Sequence, residues 1–258
     1  MERIELAEHD GHVEVVLSGR RGNAMDETFL VELETVFEGA VDRAVVLRAP
    51  GTFCTGLDLI DAAGRDRDGM RNLMSAFHRA LHAVFRCPMP VVAALDGHAL
   101  AGGALLALCA DRRIMASGRG RFGVHGVQLG VVYPDVVIEV LHHQLDPTAC
   151  EKLLFGGRLH DADHARRAGW VDEVVDGTTA LRRAEEIAWE LFGPAFAATK
   201  ARLRRHTVEH LSSIDADGME RWLDRWFAPD TTAKRQQALR ALQDREGRRP
   251  GEDPAHHG

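Results

Sequence analysis

Two glycine-bearing turns are the segments of this sequence whose residue types could do chemistry. GTFCTGLDL occupies 51–59 and leaves the apolar run AVVLRA, while GHALAGGALLALCAD occupies 97–111 and leaves PVVAALD. In each, glycine stands where a strand gives way to a helix, so backbone N–H groups can point at a ligand oxygen. Two such turns converging on one thioester carbonyl would form an oxyanion hole, worth several kcal/mol to a developing enolate. The AGGA run would also serve a helix that merely packs closely. Neither turn fits GxGxxG or GxxxxGK[ST], so a nucleotide-phosphate loop is not indicated.

The elements that must position these turns alternate between strand and helix. IEL and VEVVL read as short strands around the turn HDGH. Met25, Phe29, Leu30, Leu33, Val36 and Phe37 fall at helical spacing, with Asp26 and Glu27 suited to the first turn. AVVLRA reads as a buried strand ending at Pro50-Gly51. LIDAAGRDRDGMR, charged and glycine-interrupted, predicts a mobile loop or short helix, and a helix follows through NLMSAFHRALHAVFR to Cys87-Pro88. PVVAALDG predicts a strand, ALLALCA a buried helix, and IMAS and RFGV further short strands. From Val136 onward the pattern is mostly helical, with LRRAEEIAWELF and 195–245 long and amphipathic. The alternation implies an α/β fold of right-handed βαβ units followed by a helical C-terminal part. The expected division is an α/β core at 1–195, a helical region at 196–245 and a tail of disordered composition at 246–258.

Composition narrows the function. The 258 residues are 45% hydrophobic and 28% charged, values that suit one sizeable soluble domain. A net charge of −7 argues against a nucleic-acid partner. An anionic ligand would have to be held by local arginines. The opening MERIELAEHDGH lacks the apolar run of a signal peptide, and no stretch approaches the roughly 18 apolar residues of a membrane span. Cys54, Cys87, Cys109 and Cys150 form no CxxC pair and read as reduced thiols, neither a disulfide frame nor a metal site. The expectation is a cytoplasmic protein without a metal.

Taken together, six segments resemble the crotonase (enoyl-CoA hydratase/isomerase) superfamily. They are RGNAMD at 21–26, FCTGLDL at 53–59, PVVAALDGHALAGGALLALCADRRI at 90–114, RFGVHGVQLGVVYP at 121–134, LLFGGRLHDADHARRAGWVDEVV at 153–175 and ATKARLRR at 198–205. GLDL, VQLG and DADGMERWLDRWF look most like Δ3,Δ2-enoyl-CoA isomerases. The resemblance implies repeated ββα units forming two roughly perpendicular sheets, with a C-terminal helical region that builds a homotrimer or a dimer of trimers. It implies an acyl-CoA substrate, with coenzyme A part of that substrate and no other cofactor. The oxyanion donors of the family map onto the backbone N–H groups of Leu57 and Gly102. Arg20, Arg21, Asn23, Thr55, Gly56 and Leu59 match segments that hold the adenine and pantetheine. Trp226 and Phe227 lie where a C-terminal helix closes over the nucleotide, or packs amphipathically.

The sequence departs from that family at its acids. The two glutamates of the hydratases correspond here to Leu105 and Gly126, neither of which can transfer a proton. Three residues stand near as replacements. The resemblance places Asp135 at the catalytic aspartate of a crotonase-type β-diketone hydrolase, and within a residue of the nucleophile of 4-chlorobenzoyl-CoA dehalogenases. It places His125 beside the vacant glutamate position, and Tyr133 at a tyrosine of the methylmalonyl-CoA decarboxylase branch. A His125–Asp135 pair would make a sound proton-transfer unit. Asp135 also suits a helix N-cap or first turn. His98 reads as a structural donor to a carbonyl, Asp58 as a turn cap, and Asp111 as a cap or partner of Arg112 and Arg113. Leu105 suggests a dry acyl pocket. Isomerase-like proton transfer on an oxyanion-stabilised enolate is the favoured activity, with C–C cleavage, decarboxylation or acyl-CoA binding without catalysis as rivals.

Overall fold

β-branched and small apolar residues begin each repeating turn of the chain, and their strands line up into one main sheet. The computed structural model describes residues 1–39, 42–118, 120–177, 180–213 and 216–246. β1 (Ile4–Glu8) and β2 (His12–Leu17) form an antiparallel hairpin with Ile4 opposite Leu17. A single turn, α1 (Arg20–Asn23), is kinked at Arg21 and Gly22. It leads into α2 (Glu27–Glu38), capped by the Asp26 carboxylate on the Phe29 N–H. There follow β3 (Ala44–Arg48), α3 (Leu59–Ala63), α4 (Arg67–Arg86), β4 (Val91–Leu95), β5 (Ala99–Leu100), α5 (Gly102–Cys109), β6 (Arg112–Ala116) and β7 (Phe122–Gly123). After a short 3-10 turn at Val127–Leu129 come α6 (Asp135–Gln144), α7 (Pro147–Gly156), α8 (Ala162–Arg167) and β8 (Glu173–Val175). The described chain ends in α9 (Ala180–Leu191), α10 (Pro194–Ser212), α11 (Ala216–Trp226) and α12 (Pro229–Glu246).

The main sheet runs β1-β2-β3-β4-β6-β8, parallel from β2 onward. Parallel neighbours need crossovers, which α2, α4 and α5 supply. Val45, Leu47, Val91 and Ala93 face the larger core, whereas Ala44, Val46, Val92 and Ala94 pack with Ala184, Ile187 and Ala188 of α9. Burial on both faces explains why AVVL and VVAAL are uninterrupted apolar runs. After each long strand the chain takes a short extended step. These steps pair as Met25 with Leu57, Cys54 with Ala99, and β5 with β7. They form the second, smaller sheet of a repeated ββα architecture, the α/β class that the sequence predicts.

Two elements differ from the sequence expectation. α4 starts at Arg67, inside the stretch expected as loop or short helix, because the Asp66 side chain caps it on the Gly69 N–H. β8 lies within a stretch expected to be helical, where pairing with the edge of β6 overrides local preference. Of the tail expected at 246–258, residues 247–258 lie outside the described residues. No described helix is long and apolar enough to cross a membrane.

Candidate functional site

The two glycine turns meet backbone to backbone. The Leu100 N–H donates to the Cys54 carbonyl at 2.9 Å, and the Cys54 N–H donates to the His98 carbonyl at 3.1 Å. A Cβ on Gly103 would stand 2.1 Å from the Cys54 oxygen, so only glycine permits this approach. Gly56 has φ +91, and a Cβ there would lie 2.6 Å from the Gly102 nitrogen. A Cβ on Gly102 would in turn lie 3.4 Å from the Leu57 nitrogen. The two N–H groups therefore sit side by side, and among the described residues neither donates to an acceptor. Gly102 is the first residue of α5, where N–H groups are unpaired and the helix dipole favours negative charge. Ala101 is held at φ 47, ψ −120, a conformation costly for a residue with a side chain, at the point where the donor pair is set.

Leu57 and Gly102 open into a cavity of about 100 Å³. Thr55 and Ala101 line the same end, and Leu59, Phe77, Leu105, Leu129 and Val137 make most of the rest apolar. Two titratable side chains reach it, His125 and Tyr133. The Nδ1 of His125 is buried without a hydrogen-bond partner among the described residues, and burial pulls the imidazole below its ordinary pKa. It is therefore neutral near pH 7 and available as a base. The Tyr133 hydroxyl accepts the Gly126 N–H at 3.0 Å. Burial pushes the phenol above its ordinary pKa, so it keeps its proton and can donate it. A pair of unengaged backbone N–H donors, a neutral imidazole and a phenol in one apolar cavity can polarise a carbonyl and move a proton beside it.

A model of the enoyl-CoA hydratase/isomerase family matches residues 8–241. This chain belongs to the enoyl-CoA hydratase/isomerase family. It is 32% identical over 209 residues to human mitochondrial enoyl-CoA delta isomerase 1, covering 76% of this chain and 68% of that protein. It is 27% identical over 201 residues to mouse mitochondrial methylglutaconyl-CoA hydratase, covering 73% and 64%. The crystal structure of human mitochondrial delta3-delta2-enoyl-CoA isomerase superposes with a TM-score of 0.89 at 26% identity, covering 95% of this chain and 100% of that one. The chain spans 45–64% of the length of the first four curated relatives it matches.

Within this family member, the remaining candidates fall in different places. Asp135 does not join His125: it is a first-turn acid of α6 and lines an adjoining cavity that includes His78. The expected His125–Asp135 unit is therefore not assembled. Asn23 is buried, and its amide donates to the carbonyls of Thr52 and Phe53, which fixes the first turn. Arg21 pairs with Asp58 at 2.8 Å, and Asp58 caps α3 on the N–H groups of Ile60 and Asp61. The Thr55 hydroxyl donates to the Arg21 carbonyl. Arg20 stays exposed.

His98 accepts the Arg121 N–H on its Nδ1, the reverse of the expected donor role. Asp111 pairs across the fold with Lys200 and Arg204, at 2.7 and 2.9 Å, instead of with Arg112 and Arg113. Trp226 is buried and lines the cavity, while Phe227 is partly exposed. Sequence reasoning missed Trp222, Phe77 and Met74 as cavity residues; the four-residue step from Trp222 to Trp226, which puts both rings on one face of α11, was the available signal.

Away from this site, His9, His12 and Glu14 gather metal-ligating atoms within 4.8 Å of one another. The two imidazoles stack with planes only 8° apart. Lone pairs lie in the ring plane, so no single ion sits in both planes unless one ring turns.

Proposed function

We propose that this protein acts on an acyl-CoA thioester, holding its carbonyl oxygen between the N–H groups of Leu57 and Gly102 and moving a proton at the adjacent carbons. The observation that carries this reading is the paired, unengaged donors opening into a cavity that also holds a neutral imidazole. His125 removes the α-proton, and the two backbone donors stabilise the enolate that forms. Tyr133 gives its proton to the γ-carbon, and the proton taken up by His125 then passes to the Tyr133 phenolate, which resets both groups and makes the reaction isomerase-like. Water addition of the two-glutamate type has no support here, since Leu105 and Gly126 occupy those positions. The matches to human enoyl-CoA delta isomerase 1 in sequence and to human delta3-delta2-enoyl-CoA isomerase in structure support the same reaction. A homotrimer or dimer of trimers, with a cytoplasmic setting and no cofactor beyond the coenzyme A of the substrate, completes the proposal.

Proton NMR of α-hydrogen exchange in D₂O, with saturated and 3-enoyl-CoA esters, tests it. Exchange lost in His125→Ala and kept in Asp135→Asn supports the assignment. Exchange that survives His125→Ala and disappears in Asp135→Asn moves the base to the aspartate. A protein that binds these esters tightly yet exchanges no proton is an acyl-CoA binder, or acts on malonyl-type esters by decarboxylation.

A further inference from the structure

The cavity beneath the oxyanion donors ends at a wall. Met74, Tyr133, Pro134 and Trp222 line both this cavity and a neighbouring groove of about 530 Å³. Those four residues therefore stand between the two spaces.

We infer that the protein selects short acyl groups of about four carbons, and that Trp222 sets the limit. The inference rests on the acyl-CoA reading above and names its substrate class. Size decides it first. An apolar cavity of about 150 Å³ accommodates benzene, a six-carbon ring. Here about 100 Å³ must take the thioester carbonyl, the α-carbon and all that follows. A chain of eight carbons has to pass the wall.

The wall is fastened at its largest member. Trp222 is only 8% exposed, and its indole N–H donates to the Val132 carbonyl at 2.7 Å. Its ring stacks on Trp226 at 5.2 Å between centroids, and the Arg235 guanidinium lies 3.8 Å from the Trp226 centroid on α12. Swinging Trp222 aside would break the bond to Val132 and this three-member stack together. The groove beyond mixes apolar lining from Met219 and Val132 with the charged Arg71, Arg79 and Asp135, so only a chain that passes Trp222 and Met74 reaches it.

Calorimetric binding of butyryl-CoA and octanoyl-CoA to wild type, Trp222→Ala and Met74→Ala tests the gate. Wild type is expected to bind butyryl-CoA at least tenfold more tightly. Each variant is expected to shift that ratio about tenfold toward octanoyl-CoA, the scale on which hydrophobic pockets discriminate chain length. Met74→Ala probes the same wall from α4, so the inference stays testable where loss of Trp222 prevents folding. Equal wild-type affinity for the two esters, or variants with an unchanged ratio, overturns the gate. A wild-type protein that binds neither ester overturns the acyl-CoA reading itself and the gate with it.

Discussion

The Tyr133 hydroxyl accepts the Gly126 N–H at 3.0 Å, and a Cβ on Gly126 would lie 2.9 Å from that same oxygen. The phenol thus occupies the space into which any side chain at position 126 would grow. Glycine at 126 and tyrosine at 133 are a matched pair, and the vacant glutamate position is filled by another acid of much higher pKa. Gly126→Glu alone is expected to destabilise the fold by about 1–3 kcal/mol through overpacking. Gly126→Glu with Tyr133→Ala is expected to recover most of that loss, because the ring that blocks the new side chain is gone. Urea denaturation of the two variants checks the coupling; equal stabilities would show that the pair does not interact.

Catalysis by His125 should carry its own pH signature. Burial holds this imidazole below its ordinary pKa of 6.5, and a base works only when unprotonated. The rate of α-proton exchange is expected to be flat above pH 7 and to fall tenfold per pH unit once the pH drops below the folded pKa. That break should lie below pH 6.5. Tyr133→Phe is expected to leave the acidic break in place while lowering turnover about 10²- to 10³-fold, the cost of losing a positioned proton donor. A break that moves in Tyr133→Phe, or lies above pH 6.5, would count against His125 as the base.

Much of this site was legible in the sequence because it is made by backbone. The close approach of Gly56, Gly102 and Gly103 needs residues without a Cβ, and glycine announces that need in a bare sequence. The apolar strands AVVL and VVAAL likewise declare burial on both sheet faces. What hid was side-chain direction. His125 and Asp135 are close enough in sequence to suggest a pair, but the 3-10 turn and the start of α6 send them to different cavities. Trp222 reaches the cavity wall from about 90 residues away, bonded to Val132, and no local pattern encodes such a contact. Asp111 has arginines on its C-terminal side in sequence, yet its ion pairs come from α10.

The Asp111 cluster ties α10 to the core through buried ion pairs. Its carboxylate accepts the Val91 N–H and pairs with Lys200 and Arg204, all nearly inaccessible to solvent. Burial pulls Lys200 and Arg204 below their ordinary pKa values, with Asp111 opposing the shift. Asp111→Asn removes the one carboxylate that pairs with these cations among the described residues, and is expected to cost about 3–5 kcal/mol. Because Lys200 can lose its proton and Arg204 cannot, the deficit should be smaller at pH 9 than at pH 7. The sign follows from linkage: with a folded lysine pKa below that of the unfolded chain, the unfolded state binds more protons and stability rises with pH in that window. Chemical denaturation at both pH values checks the size and the direction.

Acid sensitivity should appear well before the carboxylates titrate, and among the described histidines that burial holds below their ordinary pKa, His82 is the most strongly shifted. The ring lies on α4, its Nε2 has no partner among the described residues, and its pKa is brought down to about 4. Burial is the main cause, with the charges of His78 and Arg86 adding to it and Glu38 opposing. The unfolded chain takes up a proton at this histidine near pH 6.5, whereas the folded protein does not until about pH 4. Its stabilising contribution is therefore fully present above pH 6.5 and is lost progressively as the pH falls toward 4. The full difference would be about 3 kcal/mol, and about 1–2 kcal/mol after allowance for the solvent that reaches a partly buried ring. His82→Leu removes the orphaned nitrogen and the proton uptake together. It is expected to flatten the decline in melting temperature between pH 6.5 and 5, a window in which most carboxylates remain ionised. An unchanged slope in that variant would place the acid sensitivity on other groups.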